Sequence, residues 1–334
     1  MKLTYKIKGF YFALTLILFH PTFNFAQSDQ FDLILESGVE DAETLLGHYL
    51  KPAVKGFGYD INAGWFNTAK PHKTLGFDLT VMGHAALVPN KDVTFTFNDH
   101  EYANIRLSDP SNRELPTLFG EYEAGPELII MEDGEEVVRV SSMPGLGLKE
   151  DIGYNAVPAP MVQLGLGITK GTDVKFRFFP HSVFGDTDVK LLGIGVMHDI
   201  KQWIPGMKEL PMELSVFGGF TKMSSNSYLN DAKTQQLTYD VTGISFQAIA
   251  SKKLAIFTFY GGLGYNTVNS NVNLLGDFET DKATFKDPVT LNYKHGSPRA
   301  TFGMNIHAGP LLIMGDYSFN EYNNVTLGVG FAVR

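Results

Sequence analysis

The 334-residue sequence contains no cysteine, and this absence excludes several classes of site at once. Disulfide bonds and thiolate metal sites cannot form, and a lipid-anchored N-terminal cysteine is ruled out. Positive charge is also scarce, because 27 Lys and Arg face 36 Asp and Glu and give a formal net charge of -9. Nucleic-acid-binding domains normally carry an excess of basic residues, so we expect no nucleic acid among the partners.

Long apolar runs are scarce as well, and the one clear example lies at the N-terminus. Three lysines precede the apolar run Phe10–Phe19. A membrane-spanning helix needs about 20 apolar residues, and this run is too short. The pattern predicts a secretory signal peptide over residues 1–26, with cleavage after Ala26. A retained N-terminal membrane anchor is the alternative.

The remaining sequence shows one helical segment followed by a long series of alternating patterns. Residues 27–55 have helical periodicity, with an apolar face around Leu45 and Leu50. From Gly56 to the end, apolar residues recur at every second position, which is the pattern of β-strands. We predict twelve strands, beginning with Gly56–Trp65 and ending with Asn323–Arg334.

The connections between the predicted strands favour a barrel. Those on one side are mostly short, such as Thr169–Thr172 and Gly309–Pro310, whereas those on the other side include the long Asn98–Val157. Short turns, long opposite loops and an even strand number are typical of outer-membrane β-barrels. We therefore predict an all-β fold, an antiparallel transmembrane β-barrel over residues 56–334. A secreted β-sandwich is the alternative.

The number of strands and the position of the helical segment stay open at this stage. Pro126–Val140 resembles a hairpin that turns at Asp133–Gly134. The wall has fourteen strands if this hairpin joins it and twelve if the hairpin stands in the long loop. Residues 27–55 are expected either to plug the lumen or to lie in the periplasm. The last strand is expected to close the barrel against Gly56–Trp65, with both termini in the periplasm.

Polar residues on the predicted inner faces of the strands are candidates for lining the lumen. Both signs of charge occur among them, which indicates a lumen crossed by ion pairs and hydrogen bonds. A purely structural, packed interior explains the same residues equally well. The candidates are Asp60, Asn62, Asp78, Thr80, His84, Gln163, Lys175, Arg177, His307 and Asp316.

Other conspicuous residues receive structural interpretations. Trp65 and Phe66 are predicted to belong to an aromatic girdle at the membrane interface. The neighbours His181 and Ser182 suggest a hydrolase at the barrel rim, but adjacent residues usually point apart, so we assign no catalytic residue. The acidic run Glu132–Glu136 lacks the spacing of a calcium loop and indicates a solvated hairpin tip. We predict no metal and no cofactor.

Three stretches resemble one family of proteins. They are YLKPAVKGFGYDINAGWFNTAKPHKTLGFDLT (Tyr49–Thr80), LPTLFG and VPAPMVQLGLGITKGTDVKFRFFP. The sequence resembles a family of outer-membrane proteins of unknown function from Gram-negative bacteria, and the resemblance covers nearly the whole mature chain. It implies the outer membrane as the location and names no activity. A helical segment before a barrel is also similar in layout to the outer-membrane transporters of long-chain fatty acids.

These observations lead to three expectations about function. The first is a monomeric channel or transporter, surrounded by outer-membrane lipid, for a small amphipathic or hydrophobic molecule, and not an enzyme. A ligand site would be sought first in Arg106–Pro126, because long loops of barrels are often functional. The alternative is a structural or adhesive protein that binds a partner through its long extracellular loops. A rim hydrolase is the third and weakest expectation.

Overall fold

A computed structural model describes residues 33–169, 171–184, 186–230, 232–280 and 282–333 of the protein. The predicted signal peptide lies outside these residues, as do the side chains of His181 and Ser182. Helix α1 spans Val39–Asp60 and helix α2 spans Leu148–Ile152. Within the described ranges, neither helix is long and apolar enough to cross a membrane.

Strands make up most of the described chain. In chain order they are β1 (Phe77–Leu87), β2 (Thr94–Thr96), β3 (Ile105–Leu107), β4 (Glu114–Pro116), β5 (Glu127–Glu132), β6 (Glu135–Ser141), β7 (Ala156–Thr169), β8 (Thr172–Phe184), β9 (Thr187–Asp199), β10 (Glu213–Tyr228), β11 (Gln236–Leu254), β12 (Phe257–Leu275), β13 (Asp277–Glu279), β14 (Thr284–Lys286), β15 (Val289–Ala308), β16 (Leu311–Phe319) and β17 (Asn324–Val333). Ten of them form a closed barrel in the order β1-β17-β16-β15-β12-β11-β10-β9-β8-β7. All neighbours in the wall are antiparallel, which confirms the predicted fold class.

The outer surface of the wall is apolar. Leu192, Phe246, Phe302 and Leu327 are each more than half exposed, at 56%, 65%, 60% and 66%. They occupy the alternate positions that face away from the lumen. A band of this kind around a closed barrel is the surface that lipid covers. The alternation predicted for the last strand, β17, therefore places its large side chains outside.

The two ends of the barrel differ. Very short turns, such as residues 255–256 and 309–310, lie at one end, which we call the turn end. At the other end, residues 88–155 fold into what we call the cap, with the small sheets β2-β4 and β3-β5-β6. The predicted hairpin Pro126–Val140 is β5-β6 and belongs to the cap. Its turn has positive φ at Asp133 and Gly134, 51° and 86°, as a tight two-residue hairpin turn requires.

The prediction that Gly56–Trp65 forms the first wall strand is wrong. Residues up to Asp60 continue α1, and residues 61–76 pass down the lumen to the start of β1 at Phe77. The glycines of this stretch are points of close approach to the wall. A Cβ atom at Gly56 would lie 2.5 Å from Val157 Cγ2, and one at Gly58 would lie 2.5 Å from Val268 Cγ1.

Two further corrections follow from this path. The wall has ten strands, fewer than the predicted twelve to fourteen, and β17 closes against Phe77–Leu87. The helical segment does not end at residue 55, and the wall does not begin at residue 56. Ser37 lies at the cap end, where its carbonyl accepts a hydrogen bond from Asn104, whereas Val333 lies at the turn end. The described chain therefore does not keep both of its ends on one side.

Candidate functional site

The lumen is filled along its length by a segment of the chain itself. This segment, residues 53–73, is called the plug. It enters beside Tyr239 near the cap end, where Tyr239 Oη donates to the Val54 carbonyl at 3.4 Å. It leaves at the turn end, where Asp173 Oδ1 accepts from the His72 backbone N–H at 2.7 Å. Every residue from Gly56 to Ala69 is buried, so wall surrounds the plug on all sides.

Arg177 of β8 holds the plug at the point where α1 ends. Its Nη1 donates to the Ile61 carbonyl at 3.1 Å and its Nη2 to the Ala63 carbonyl at 2.5 Å. Its Nε donates to Gln163 Oε1 at 2.9 Å. The last carbonyls of a helix carry partial negative charge, so a buried cation at this position is well satisfied. Arg177 and Gln163, both predicted lumen residues, thus bind the plug.

The Trp65 ring completes the surroundings of Arg177. The guanidinium carbon lies 3.6 Å from the ring centre, a cation–π contact inside the barrel. Trp65 is only 1% exposed and Phe66 only 3%, so their predicted place in an interfacial girdle is wrong. They form an apolar cluster in mid-lumen with wall residues that include Phe217 and Tyr260.

Wall glycines make room for these two aromatic side chains. A Cβ at Gly195 would lie 2.9 Å from Trp65 Cζ3, and one at Gly262 would lie 2.7 Å from Phe66 Cζ. Real Cβ atoms do not approach so closely without displacing a neighbour. These wall glycines are therefore recesses that fit the plug.

We expect Gly219→Leu to destabilise the plugged barrel by about 1–3 kcal/mol or more, because overpacking forces side chains out of their rotamers. The added Cβ alone would lie 2.8 Å from Trp65 Cε2. Gly83→Leu is the matched control, since a Cβ at Gly83 has no atom within 4 Å. Urea unfolding of both variants in vesicles measures the difference. Equal losses of stability would contradict a recess at Gly219.

The interfacial tryptophan is Trp203. It is 71% exposed at the turn end, in the connection between β9 and β10. Its Nε1 donates to His198 Nε2 at 2.9 Å, which pins the ring to the outer side of the wall.

A set of buried polar side chains holds the plug at the turn end. His72 Nδ1 lies 2.8 Å from Asp173 Oδ2, and its Nε2 lies 3.3 Å from Asp78 Oδ1. Thr80 Oγ1 donates to Asp78 Oδ2 at 3.0 Å. Lys175, also buried, belongs to the same inner face of β8. The sequence indicated Asp78, Thr80 and Lys175 but not His72, because His72 lies in an extended stretch without periodicity.

A second set of polar side chains lies on the inner faces of β1, β17, β16 and β12. Asn324 Nδ2 donates to Asp60 Oδ1, and His84 Nδ1 lies 3.1 Å from Thr326 Oγ1. Tyr260 Oη donates to Asp316 Oδ2 at 3.2 Å.

Two more predicted lumen residues, Asn62 and His307, and one that was not predicted, Arg299, also face the inside of the barrel. Asn62 donates from the plug to the Gly58 and Thr267 carbonyls at 3.3 and 3.4 Å. His307 is half-buried on the inner face of β15 near the turn end. Arg299, which also lies on the inner face of β15, was not among the predicted residues. Its Nη2 donates to Ser318 Oγ at 2.6 Å.

The cap end of the plug carries a partly exposed ion pair. Lys55 Nζ lies 2.5 Å from Glu321 Oε1, and Tyr59 Oη donates to Glu321 Oε2 at 3.2 Å. Burial opposes ionisation of Glu321, but the hydrogen bond and the positive charge of Lys55, together with the hydrogen bond from Tyr59, outweigh it and lower the pKa of the carboxyl below its ordinary value. Glu321 therefore stays charged at neutral pH and holds the plug helix to the rim.

The wall is interrupted between β7 and β8 near the cap end. β7 pairs with β1 as far as Ala156, but its pairing with β8 stops at Val162 and Phe178. The pairing of β7 with β1 continues through Pro158 and Pro160, so the backbone hydrogen bonds to β1 come from the residues that alternate with these two prolines. The backbone nitrogens of Pro158 and Pro160 therefore face β8, and they have no N–H to donate to that strand.

We call residues 156–161 and 179–184, on either side of this gap, the seam. Its inner side along β7 is apolar and buried, with Val157, Ala159 and Met161 at 0–2% exposure. Phe179 of β8 packs against the same apolar cluster. The β7 side of the seam is thus apolar and lies beside α1.

Among the described residues there is no group of three or more His, Asp or Glu placed to hold a metal ion. The surface of the cap, in contrast, is strongly acidic. Residues 88–155 contain fourteen Asp and Glu against five Lys and Arg, a net charge of -9. The rest of the chain is balanced.

Comparison with known proteins gives one family and a set of distant structures. The model of a family of unknown function (DUF6588) matches residues 1–333. No curated protein matches the sequence.

Three solved barrels illustrate the structural likeness. Ail, the attachment invasion locus protein of Yersinia pestis, is 9% identical with a TM-score of 0.28, over 78% of this chain and 100% of that chain. The translocator domain of the autotransporter NalP from Neisseria meningitidis is 12% identical with a TM-score of 0.27, over 79% and 90%. The TodX monoaromatic hydrocarbon channel (deltaS2 mutant) is 9% identical with a TM-score of 0.25, over 84% and 69%.

Proposed function

We propose that this protein, which belongs to the family of unknown function DUF6588, is an outer-membrane transporter that passes a small hydrophobic or amphipathic molecule through the seam in its wall. The exposed apolar band supports a place in a membrane, and the predicted signal peptide supports export to the outer membrane of a Gram-negative bacterium. Closure of all ten strands within one chain leaves no free edge and supports a monomer. The proposal contains no enzymatic step.

The filled lumen argues against passage along the barrel axis. Polar solutes would have to displace the plug, which Arg177 and His72 hold at separate points. The seam is different, because the wall itself has no ladder there. This missing ladder is the observation that carries the proposal.

The chemistry of the seam suits an apolar cargo. Val157 and Met161 line it from the inside, and lipid-facing residues such as Phe178 flank it from the outside. On the plug side Val157 packs directly against Gly56, where an added Cβ atom would lie 2.5 Å from Val157 Cγ2. A molecule that moves between the cap end and the lipid through the seam would leave no apolar surface in water.

The double variant P158T/P160T tests this route. Threonine supplies the missing N–H groups and favours strands, so β7 and β8 can extend their ladder and narrow the seam. We expect cells that produce the wild-type barrel to take up an apolar fluorescent dye faster than cells without it. The double variant is expected to lose most of this increase in the rate of dye uptake.

The control is Pro110→Thr, at an exposed position in the cap away from the wall. It should leave uptake unchanged. Heat-dependent mobility in gels shows whether each barrel is folded. A folded P158T/P160T barrel with wild-type uptake would refute the lateral route.

A structural or adhesive role is the second candidate, and the acidic, folded cap favours it. Replacing the β5-β6 hairpin, Glu127–Ser141, by a short Gly-Ser turn would remove a large share of this charge. If the cap mediates attachment, cells with the shortened cap should bind less to a cationic surface. Unchanged attachment would leave transport as the better proposal.

A further inference from the structure

The inner face of β15 is polar over nearly the whole height of the barrel. Six inward positions carry polar side chains, and only Gly303 interrupts them. At about 3.3 Å per residue this face is about 40 Å long along the tilted strand, enough to span the membrane. The residues are His295, Ser297, Arg299, Thr301, Asn305 and His307.

Several polar atoms on this side of the plug are buried without a hydrogen-bond partner among the described residues. They are Arg299 Nη1, Asn305 Oδ1, His295 Nε2 and both amide atoms of Asn266 on the neighbouring β12. Arg299 is 3% exposed, and Asn266 and Asn305 are fully buried. Burying such groups dry is costly, whereas a polar cavity is commonly filled by ordered water.

The charged side chains on this side of the plug also indicate ordered water. Asp60 and Asp316 are close enough to Arg299 to interact electrostatically. Yet the described structure has no ion pair within 4 Å between either carboxylate and Arg299, whose bonded partners are Thr301 and Ser318. Buried opposite charges that are near each other but not in direct contact are most readily bridged by water.

Both ends of this polar face approach solvent. At the cap end, the His295 ring lies 5.2 Å from the Tyr59 ring, whose hydroxyl donates to the partly exposed Glu321. At the turn end, His307 is half-buried and its backbone N–H donates to Ile256 in the turn.

The Tyr260 ring lies across this polar face at Gly303. A Cβ at Gly303 would lie 2.3 Å from Tyr260 Cζ, so the ring rests directly on the glycine. The hydroxyl donates to Asp316, and the ring contacts Phe66 of the plug at 6.0 Å between centres. The other side of the plug is tightly packed by contrast, with Trp65 against Phe217.

We propose that the polar face of β15 holds a file of water that conducts water and protons past the plug, with Tyr260 as its constriction. This activity is separate from passage through the seam, since the two lie on different parts of the wall. It requires no movement of the plug.

Purified protein in lipid vesicles tests the proposal by two measurements. Light scattering after an osmotic step reports water flow, and a trapped pH-sensitive dye reports proton flow. We expect wild-type vesicles to exceed protein-free vesicles in both and to exclude sucrose. Tyr260→Ala should raise both flows above wild type. Asn266→Leu with Asn305→Leu should reduce them to the protein-free level.

Met197→Leu, in the packed cluster away from β15, is the control and should leave both flows unchanged. Heat-dependent gel mobility establishes folding of each variant. Flows equal to protein-free vesicles in folded wild type and in folded Tyr260→Ala would overturn the proposal. Sucrose entry in wild type would also overturn it, because it would mean that the plug leaves the lumen.

Discussion

A chain that begins at Lys73 is expected to form an open pore. It keeps the whole wall, from β1 at Phe77 to β17, and lacks the plug that fills the lumen. The vacated space is lined by glycines such as Gly195, Gly219 and Gly262, which have no side chains to occupy it. Planar-bilayer recordings should therefore change from closed wild-type barrels to a steady conductance, and vesicles should admit small sugars.

Removal of α1 also uncovers apolar residues of the cap, so a second variant protects the test from misfolding. Trp65→Ala with Phe66→Ala retains α1 and removes the two largest side chains of the mid-lumen cluster. Each truncation costs about 3–5 kcal/mol of stability, because a cavity remains. We expect transient openings. If the shortened chain and the double alanine variant both fold and both stay closed, residues 53–73 are not the barrier.

The alternation of apolar residues predicted the wall well. Strands such as β17 and β7 face lipid on one side and the lumen on the other, so burial follows the two-residue period. The same rule failed at Gly56–Trp65, which also alternates. There the small residues mark close contacts with the wall, and large and small residues alike are buried. Local periodicity cannot distinguish a chain beside lipid from one enclosed by wall.

The lumen residues show a similar division. Asp78, Gln163 and Arg177 were found because their strands alternate clearly. His72 and Arg299 were not among the candidates, and His72 lies in the plug, outside any strand. Their partners, Asp173 and Ser318, come from strands distant in sequence. Such pairs arise from barrel closure and register, which one sequence does not display.

We expect Arg177 to make the strongest single contact between the plug and the wall. Arg177→Met keeps much of the side-chain volume but leaves the Ile61 and Ala63 carbonyls without their donor. Loss of one member of a buried charged network costs about 3–5 kcal/mol. Chymotrypsin should then cleave after Trp65 or Phe66, which are buried in the wild-type barrel, and the urea midpoint should fall.

Two comparisons separate anchoring from a general loss of stability. Arg113→Met removes an exposed arginine that pairs with Asp99 in the cap, and surface pairs of this kind contribute about 0–1 kcal/mol. It should leave the plug protected. Arg177→Lys keeps the charge but cannot reach both carbonyls and Gln163 with one planar group, so its protection should be intermediate. Full protection of the plug in folded Arg177→Met would mean that the His72 contacts and the apolar cluster suffice, and that Arg177 is not the anchor.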